Sequence, residues 1–289
     1  MLRDDPTRFV GSIPDHYDNG LGPVIFDAPA EIAARRVASM GPSRVLETAA
    51  GTGIVTRRLR DALPAEAEIV ATDLNPEMLE VSRAKFRPDE KVALQAADAT
   101  ALPFVDGEFD VVLCQFGIMF FPDKDKALRE VHRVLAAGGR YVFTVWDALE
   151  HNPFGRIASD AMRKAFNADP PPFMSVPFGY CAIDPIKAAL LANGFGDLRI
   201  DLIQTRGAIA DFDRFADGLV RGSPLADQIR SRGGEPDALH RLVAQSLRAE
   251  FGAAHQVALA EHADRRAGGV GDDERAHVIF GERVKRVPQ

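Results

Sequence analysis

The sequence predicts an α/β chain: a doubly wound, mostly parallel sheet with helices on both faces and helical insertions added to it. Three observations predict it. From about residue 41 to 146, short apolar runs that suit buried strands alternate with stretches of helical period. The first of these runs ends in a small-residue turn that leads directly into a helix, Val45-Leu46-Glu47-Thr48-Ala49-Ala50-Gly51-Thr52-Gly53. Finally, Glu47, Asp73 and Asp98 end three successive runs. In a parallel sheet that pattern lines three acids along one edge, the edge where open α/β sheets bind ligands.

Taken in order, Ser12-Ile-Pro-Asp-His-Tyr17 and Leu21-Gly-Pro-Val-Ile-Phe26 mix turn formers with aromatics and read as a lead-in segment. Ile32, Ala33, Val37 and Met40 recur at helical spacing, giving one helix before the first strand. Ile54 to Leu63 is the helix after the glycine turn. Glu68 to Asp73 is a second strand, and Asn75-Pro76-Glu77 starts a helix with a capping residue, a proline at the first position and an acid in the first turn. Val92 to Ala96 is a third strand. Phe109 to Gln115, apolar almost throughout, is a fourth with both faces covered. Pro122-Asp123 opens a helix with Ala127, Leu128, Val131, Val134 and Leu135 on one face, closed by Gly138-Gly139, and Tyr141 to Trp146 is a fifth strand. Beyond it the spacing predicts a helix near Phe154 to Phe166, a stiff extended stretch at Asp169-Pro-Pro-Pro-Phe173, and a helix from Asp184 to Asn193. A sixth strand follows at Leu198 to Thr205, then two or three helices over 211–252, and a last strand at Ala276 to Phe280.

With 289 residues, 46% of them hydrophobic, the chain suits one large domain with sizeable insertions. The net charge of −7 disfavours broad adhesion to nucleic acid or an anionic membrane. Two cysteines, Cys114 and Cys181, do not make a disulfide framework. With no apolar signal core and no run long enough to span a bilayer, a soluble cytoplasmic protein with a small-molecule partner is expected.

The glycine turn admits two kinds of ligand. A dinucleotide would call for a third glycine at position 56, where Thr56 stands, and Glu47 before the turn would repel a pyrophosphate while attracting an ammonium group. S-adenosylmethionine has that ammonium and no phosphate. Asp73, 20 residues after Gly53, stands where an acid accepts hydrogen bonds from ribose hydroxyls. As a set, Glu47 with its glycines, Asp73, Asp98 with Leu102-Pro103-Phe104, and Phe109-Asp110 through Gly139 resemble the class I S-adenosylmethionine-dependent methyltransferases. The resemblance is to the small-molecule branch that includes ubiquinone-type C-methyltransferases, and it covers about residues 40–146. Ala49 stands where the family has its first glycine.

The resemblance implies a Rossmann-like, seven-stranded sheet whose last strand runs antiparallel. It implies a cofactor site of Glu47, Ala49, Gly51 and Gly53, with Asp73 on the ribose, Leu74 and Met78 against the adenine, and Asp98, Ala99 and Gln115 completing it. No metal is expected. The corresponding organisation is 1–40 as a lead-in and helix over the cofactor, 41–146 as the binding core and 147–183 as a first cap. Residues 184–206 return to the core, 207–255 form a second cap, and 256–289 hold the last strand and tail. Tyr17, Phe116, Phe120 and Trp146 are candidate walls of an acceptor pocket, and core packing accounts for such aromatics equally well. His151, after the fifth strand, is the candidate general base, with His16 and Tyr17 as weaker ones; His255 and His262 show no metal-ligand spacing. The reading is methyl transfer to a small apolar or aromatic metabolite, on a hydroxyl in preference to carbon or nitrogen. A non-catalytic S-adenosylmethionine sensor or partner subunit, and an NAD(P)-dependent oxidoreductase, are the alternatives. The Asp-Pro-Pro-aromatic signature of base-modifying enzymes belongs directly after the fourth strand, where this chain has Gln115-Phe116.

Overall fold

The computed structural model describes residues 4–166 and 169–252, with the backbone of 256–258 and 277–278. The chain begins with three consecutive helical segments: α1 (Ile13–His16), a π-helical stretch (Tyr17–Phe26) and α2 (Asp27–Ala38). The lead-in expected to be irregular is therefore helical. Gly20, Gly22 and Pro23 disfavour a regular α-helix, and a widened turn tolerates the amide hydrogen that Pro23 lacks.

Of the described residues, those within Met1–Ala28, Trp146–Tyr180 and Leu202–Val278 form one compact unit, and those within Pro29–Val145 and Cys181–Asp201 form another. The second, here the sheet unit, contains β1 (Arg44–Thr48), α3 (Ile54–Ala62), β2 (Glu68–Asp73), α4 (Pro76–Arg83) and β3 (Val92–Ala96). It continues with β4 (Phe109–Gln115), α5 (Lys124–Val134) and β5 (Leu135–Thr144). Among the described residues these make a five-stranded sheet in the order β3-β2-β1-β4-β5, parallel throughout. The registers Glu47↔Ala71 and Glu47↔Leu113 place β1 at the centre. Val45, Leu46, Val112, Leu113 and Cys114 are fully buried, as residues covered on both faces must be. Burying each large one is worth about 1.5–3 kcal/mol. Helix α5 starts where the Asp123 side chain accepts from the Lys126 amide at 2.8 Å, and its apolar stripe of Ala127, Leu128, Val131 and Val134 is buried.

Three expectations are corrected. The fifth strand begins at Leu135, and the helix before it ends at Val134 without reaching Gly138-Gly139. A bulge between the Phe109 and Val111 pairings absorbs residues 136–139, with Gly138 at φ +80°. The sixth strand shrinks to β6 (Asp201–Leu202), because Leu202-Ile203 breaks the apolar alternation and Asp201 is committed to Arg36 and Arg199. The sheet therefore has five described strands where seven were expected. Of the last strand, only His277–Val278 is described, and it pairs with β6 in a separate two-stranded sheet; the rest of 276–280, like His255 and His262, lies outside the described residues.

The other unit is helical. It holds α6 (Pro153–Ala165), while α7 (Ile183–Ala192) returns to the sheet unit. β7 (Arg206–Ala208), α8 (Phe212–Arg221), α9 (Leu225–Ser231) and α10 (Pro236–Phe251) follow, and β7 pairs antiparallel with β8 (Gln256–Ala258). The π-helical stretch meets α8 backbone to backbone: a Cβ on Gly20 would lie 2.6 Å from the Gly218 Cα and 2.7 Å from the Arg214 carbonyl. Glycine is the residue that permits this approach. No described helix is long and apolar enough to cross a membrane.

Candidate functional site

The C-terminal ends of β1 and β2 bring four of the predicted residues into one hydrogen-bonded group. Gly51 and Gly53 have φ of +55° and +78°, and the turn they form is tied to β2 by Asp73, whose Oδ2 accepts from the Gly51 amide at 2.8 Å. The other oxygen, Oδ1, accepts from the Asn75 amide at 2.8 Å. One carboxylate thus fixes both loops. Asp73 is 7% exposed, and burial raises its pKa against the pull of these donors. Glu47 is 1% exposed, and burial pushes its carboxyl up to about 8, with the Thr56 hydroxyl donating to Oε2 at 2.7 Å and the Asp73 charge raising it further.

Thr56, which stands where a dinucleotide motif has its third glycine, is the partner of the buried acid. The signal was present: a hydroxyl nine residues after Glu47, in the first turn of α3, faces back onto β1. Gly53 allows a close helix contact, since a Cβ there would lie 2.9 Å from the Ser82 Cβ. Ala49, at the first glycine position, takes a left-handed conformation (φ +54°), which costs an L-residue about 1–2 kcal/mol. Its methyl group is accommodated by Gly117 after β4, where a Cβ would fall 2.4 Å from the Ala49 Cβ and 2.8 Å from the Cys114 Sγ.

Around this group, Met78 is buried with its methyl 3.4 Å from where a Gly51 Cβ would be, and Leu74 is 53% exposed, an apolar surface without cover in its own unit. Asp98 is exposed and accepts from the Thr100 amide at 2.7 Å; Ala99 and Gln115 are partly exposed. Phe116 has φ +51°, and its amide donates to the Thr144 carbonyl at 3.0 Å and hydroxyl at 3.2 Å. Phe120 ends a single 3₁₀ turn, Ile118–Phe120, and is half-buried. Two left-handed non-glycine residues thus follow the ends of adjacent strands β1 and β4, a concentration of backbone strain typical of ligand sites. The two buried acids beside the glycine turn suit an ammonium and a ribose diol, and oppose a pyrophosphate. A separate cavity of about 540 Å³ lies at the opposite end of the strands, lined by Met40, Ser43, Asp110 and Arg140 among others, and includes none of the predicted residues. Among the described residues no group of three or more His, Cys, Asp or Glu could hold a metal ion.

Residues 46–143 match the family model for a methyltransferase domain. The match covers 98 of the 289 residues. Over 138 residues, or 46% of its length, the chain is 37% identical to the ubiquinone/menaquinone biosynthesis C-methyltransferase UbiE of Geobacter sp. strain M21, covering 59% of that protein. Over 117 residues, or 40% of the chain, it is 42% identical to the demethylmenaquinone methyltransferase of Thermus thermophilus, covering 53% of it. The chain therefore spans between half and three fifths of these relatives. The crystal structure of the YcgJ protein from Bacillus subtilis, 20% identical, superposes with a TM-score of 0.55 over 90% of this chain and 99% of that one, which establishes the shared Rossmann-like fold.

Tyr17, Trp146 and His151 fall outside the matched segment, in the helical unit. Tyr17 stacks on Phe26 at 4.8 Å, Phe26 lies 6.1 Å from Trp146, and Trp146 meets Phe154 edge-on at 5.4 Å. Trp146 is buried in this cluster and Tyr17 half-buried. The four aromatics predicted as pocket walls are thus divided, with Phe116 and Phe120 belonging to the sheet unit. His151 Nδ1 lies 2.5 Å from Asp147 Oδ2, and His16 pairs with Asp217.

Proposed function

We propose that this protein transfers a methyl group from S-adenosylmethionine to a small, apolar or aromatic metabolite. The observation that carries the proposal is the pair of buried acids, Glu47 and Asp73, at adjoining strand ends around the Gly51–Gly53 turn. Glu47 would face the ammonium, Asp73 the ribose hydroxyls, and Leu74, Met78, Asp98 and Ala99 the adenine, with Gln115 and Ala49 closing the site. When bound, the cofactor supplies an activated methyl group on a sulfonium. The protein's share is to align the accepting atom with that carbon and keep water out, and His151 is the group we assign to accept the proton that the acceptor loses.

The favoured acceptor atom is a hydroxyl oxygen. A ring carbon of a quinol is the second reading, supported by the C-methyltransferase named among the curated relatives. Tyr17, Phe116, Phe120 and Trp146 remain the assigned acceptor contacts. Calorimetric titration with S-adenosylhomocysteine and with NADH tests the assignment. Micromolar binding of the first alone, weakened tenfold or more in Asp73→Asn, is expected. Binding of NADH, or of neither ligand, would overturn it.

A further inference from the structure

We propose that Glu130 and Arg133 of α5 are positioning residues for the turn after β3, and that their brace sets the preference of the cofactor site for adenine over hypoxanthine. The proposal rests on the methyl-transfer reading above, and every residue in it lies in the sheet unit.

The turn itself is short. The Ala97 amide donates to the Asp73 carbonyl at 2.9 Å, beside the acid assigned to the ribose. Asp98 Oδ1 accepts from the Thr100 amide at 2.7 Å, and the Asp98 carbonyl accepts from the Ala101 amide at 2.9 Å. An aspartate bonded to the second amide after it closes an Asx turn. Two groups at the tip have no partner among the described residues: Asp98 Oδ2, an acceptor, and the Ala99 amide, a donor. Adenine's amino group donates and the adjacent ring nitrogen accepts, which complements that pair. Hypoxanthine presents a carbonyl and a ring N–H there, so both partners meet the wrong sign.

What keeps the pair in one geometry comes from α5. Glu130 Oε2 accepts from the Leu102 amide at 2.7 Å, and Arg133 Nη2 donates to the Leu102 carbonyl at 2.9 Å. Both backbone groups of Leu102 are thus claimed by one ion pair. Arg133 Nη1 goes on to the Phe104 carbonyl at 2.6 Å and to Asp106 Oδ1 at 3.0 Å, while the Arg133 carbonyl accepts from the Gly107 amide at 2.9 Å. The two side chains lock as a fork, Nε to Oε1 at 2.8 Å and Nη2 to Oε2 at 2.7 Å. The hydrogen bond from Arg133 holds the Glu130 carboxyl below the usual carboxylate range, so the acceptor for the Leu102 amide stays charged at neutral pH.

Burial of this loop is already supplied by other contacts. Leu102 is 5% exposed, and Phe104 meets Phe109 edge-on at 5.0 Å. The ion pair adds direction, because a planar guanidinium serves several acceptors at fixed angles, which an ammonium cannot do. With the turn closed between Asp98 and Ala101, a displacement of Leu102 is carried to the Asp98 carboxylate and the Ala99 amide, where small misplacements weaken hydrogen bonding to the base.

The test is calorimetry on the full chain with S-adenosylhomocysteine and with S-inosylhomocysteine, which differ only at that edge of the base. The native protein should prefer the adenine ligand by about thirtyfold or more, and Asp98→Asn should lose most of that preference. In Arg133→Met the preference should fall by about fivefold or more through weaker binding of the adenine ligand, with the inosine ligand changed less than about twofold. Arg133→Lys, which keeps the charge without the fork, should recover only part of it; if the Met variant does not fold, the Lys variant carries the same comparison, with a fall of about threefold expected. An unchanged preference, or equal weakening of both ligands, overturns the proposal and leaves the pair a brace for the fold alone. A native protein that binds both ligands alike also overturns it, by removing the base edge from recognition. Binding of neither ligand by the native protein would defeat the cofactor assignment itself, and this proposal with it.

Discussion

Replacing Glu47 by Gln should stabilise the sheet unit, and the gain should grow with pH. An unfolded glutamate ionises near 4.5, whereas burial holds the native Glu47 proton up to about 8. Between these two values the unfolded chain has lost a proton that the folded chain retains, so stability falls as pH rises across the window. Each pH unit costs about 1.4 kcal/mol, with a ceiling of about 5 kcal/mol over the full window. The glutamine variant carries no titrating group and keeps an oxygen for the Thr56 hydroxyl. At pH 5 the two proteins should therefore differ by about 1 kcal/mol or less, and at pH 7.5 the variant should be ahead by about 3–4 kcal/mol. The tryptophan at 146 reports on the helical unit, so the measurement is amide hydrogen exchange of Leu46 and Val112, taken as the difference between variant and native protein at each pH. A difference that is the same at both pH values would refute the reasoning. Binding of the sulfonium cofactor should reverse the balance by favouring ionised Glu47. Titration at pH 7 in two buffers of different ionisation heat should then show proton release in the native protein and none in the variant.

Gly117→Ala forces a Cβ against the Ala49 methyl and the Cys114 sulfur, and should cost about 1–3 kcal/mol in chemical denaturation. Adding Ala49→Gly should recover part of that loss, and strictly additive effects would show that the two positions do not share the space. Gly20→Ala places a Cβ against the α8 backbone and should destabilise the helical unit by about 1–3 kcal/mol. Trp146 fluorescence during denaturation reads that change directly, and an unaltered midpoint would contradict the close crossing.

The core strands were legible because each combines an apolar run with a terminal acid or a turn, and both signals are local. Glu47, Asp73 and the two glycines could be placed for the same reason. Local signals failed where a distant partner decides. Leu198 to Thr205 has a strand's composition, but Asp201 is drawn to Arg36, 165 residues away in sequence. The turn formers in 12–26 promise irregular chain, yet the glycines that weaken an α-helix are what let this segment pack on α8. The role of Thr56 is not legible from the motif, which marks only a missing glycine, because only the fold shows which carboxylate takes its hydroxyl. His151 could be singled out by its place after the fifth strand, but its pairing with Asp147 and the closure of that turn by Asn152, which donates to the Asp147 carbonyl, appear only in three dimensions.

The division of the chain also bears on how such a protein can change over generations. The acids and glycines of the turn lie in one unit, and Tyr17, Trp146, Asp147 and His151 lie in the other. On the methyl-transfer reading proposed above, a lineage could vary the aromatic cluster of one unit while keeping, in the other, the hydrogen bond by which Asp73 holds the Gly51 turn.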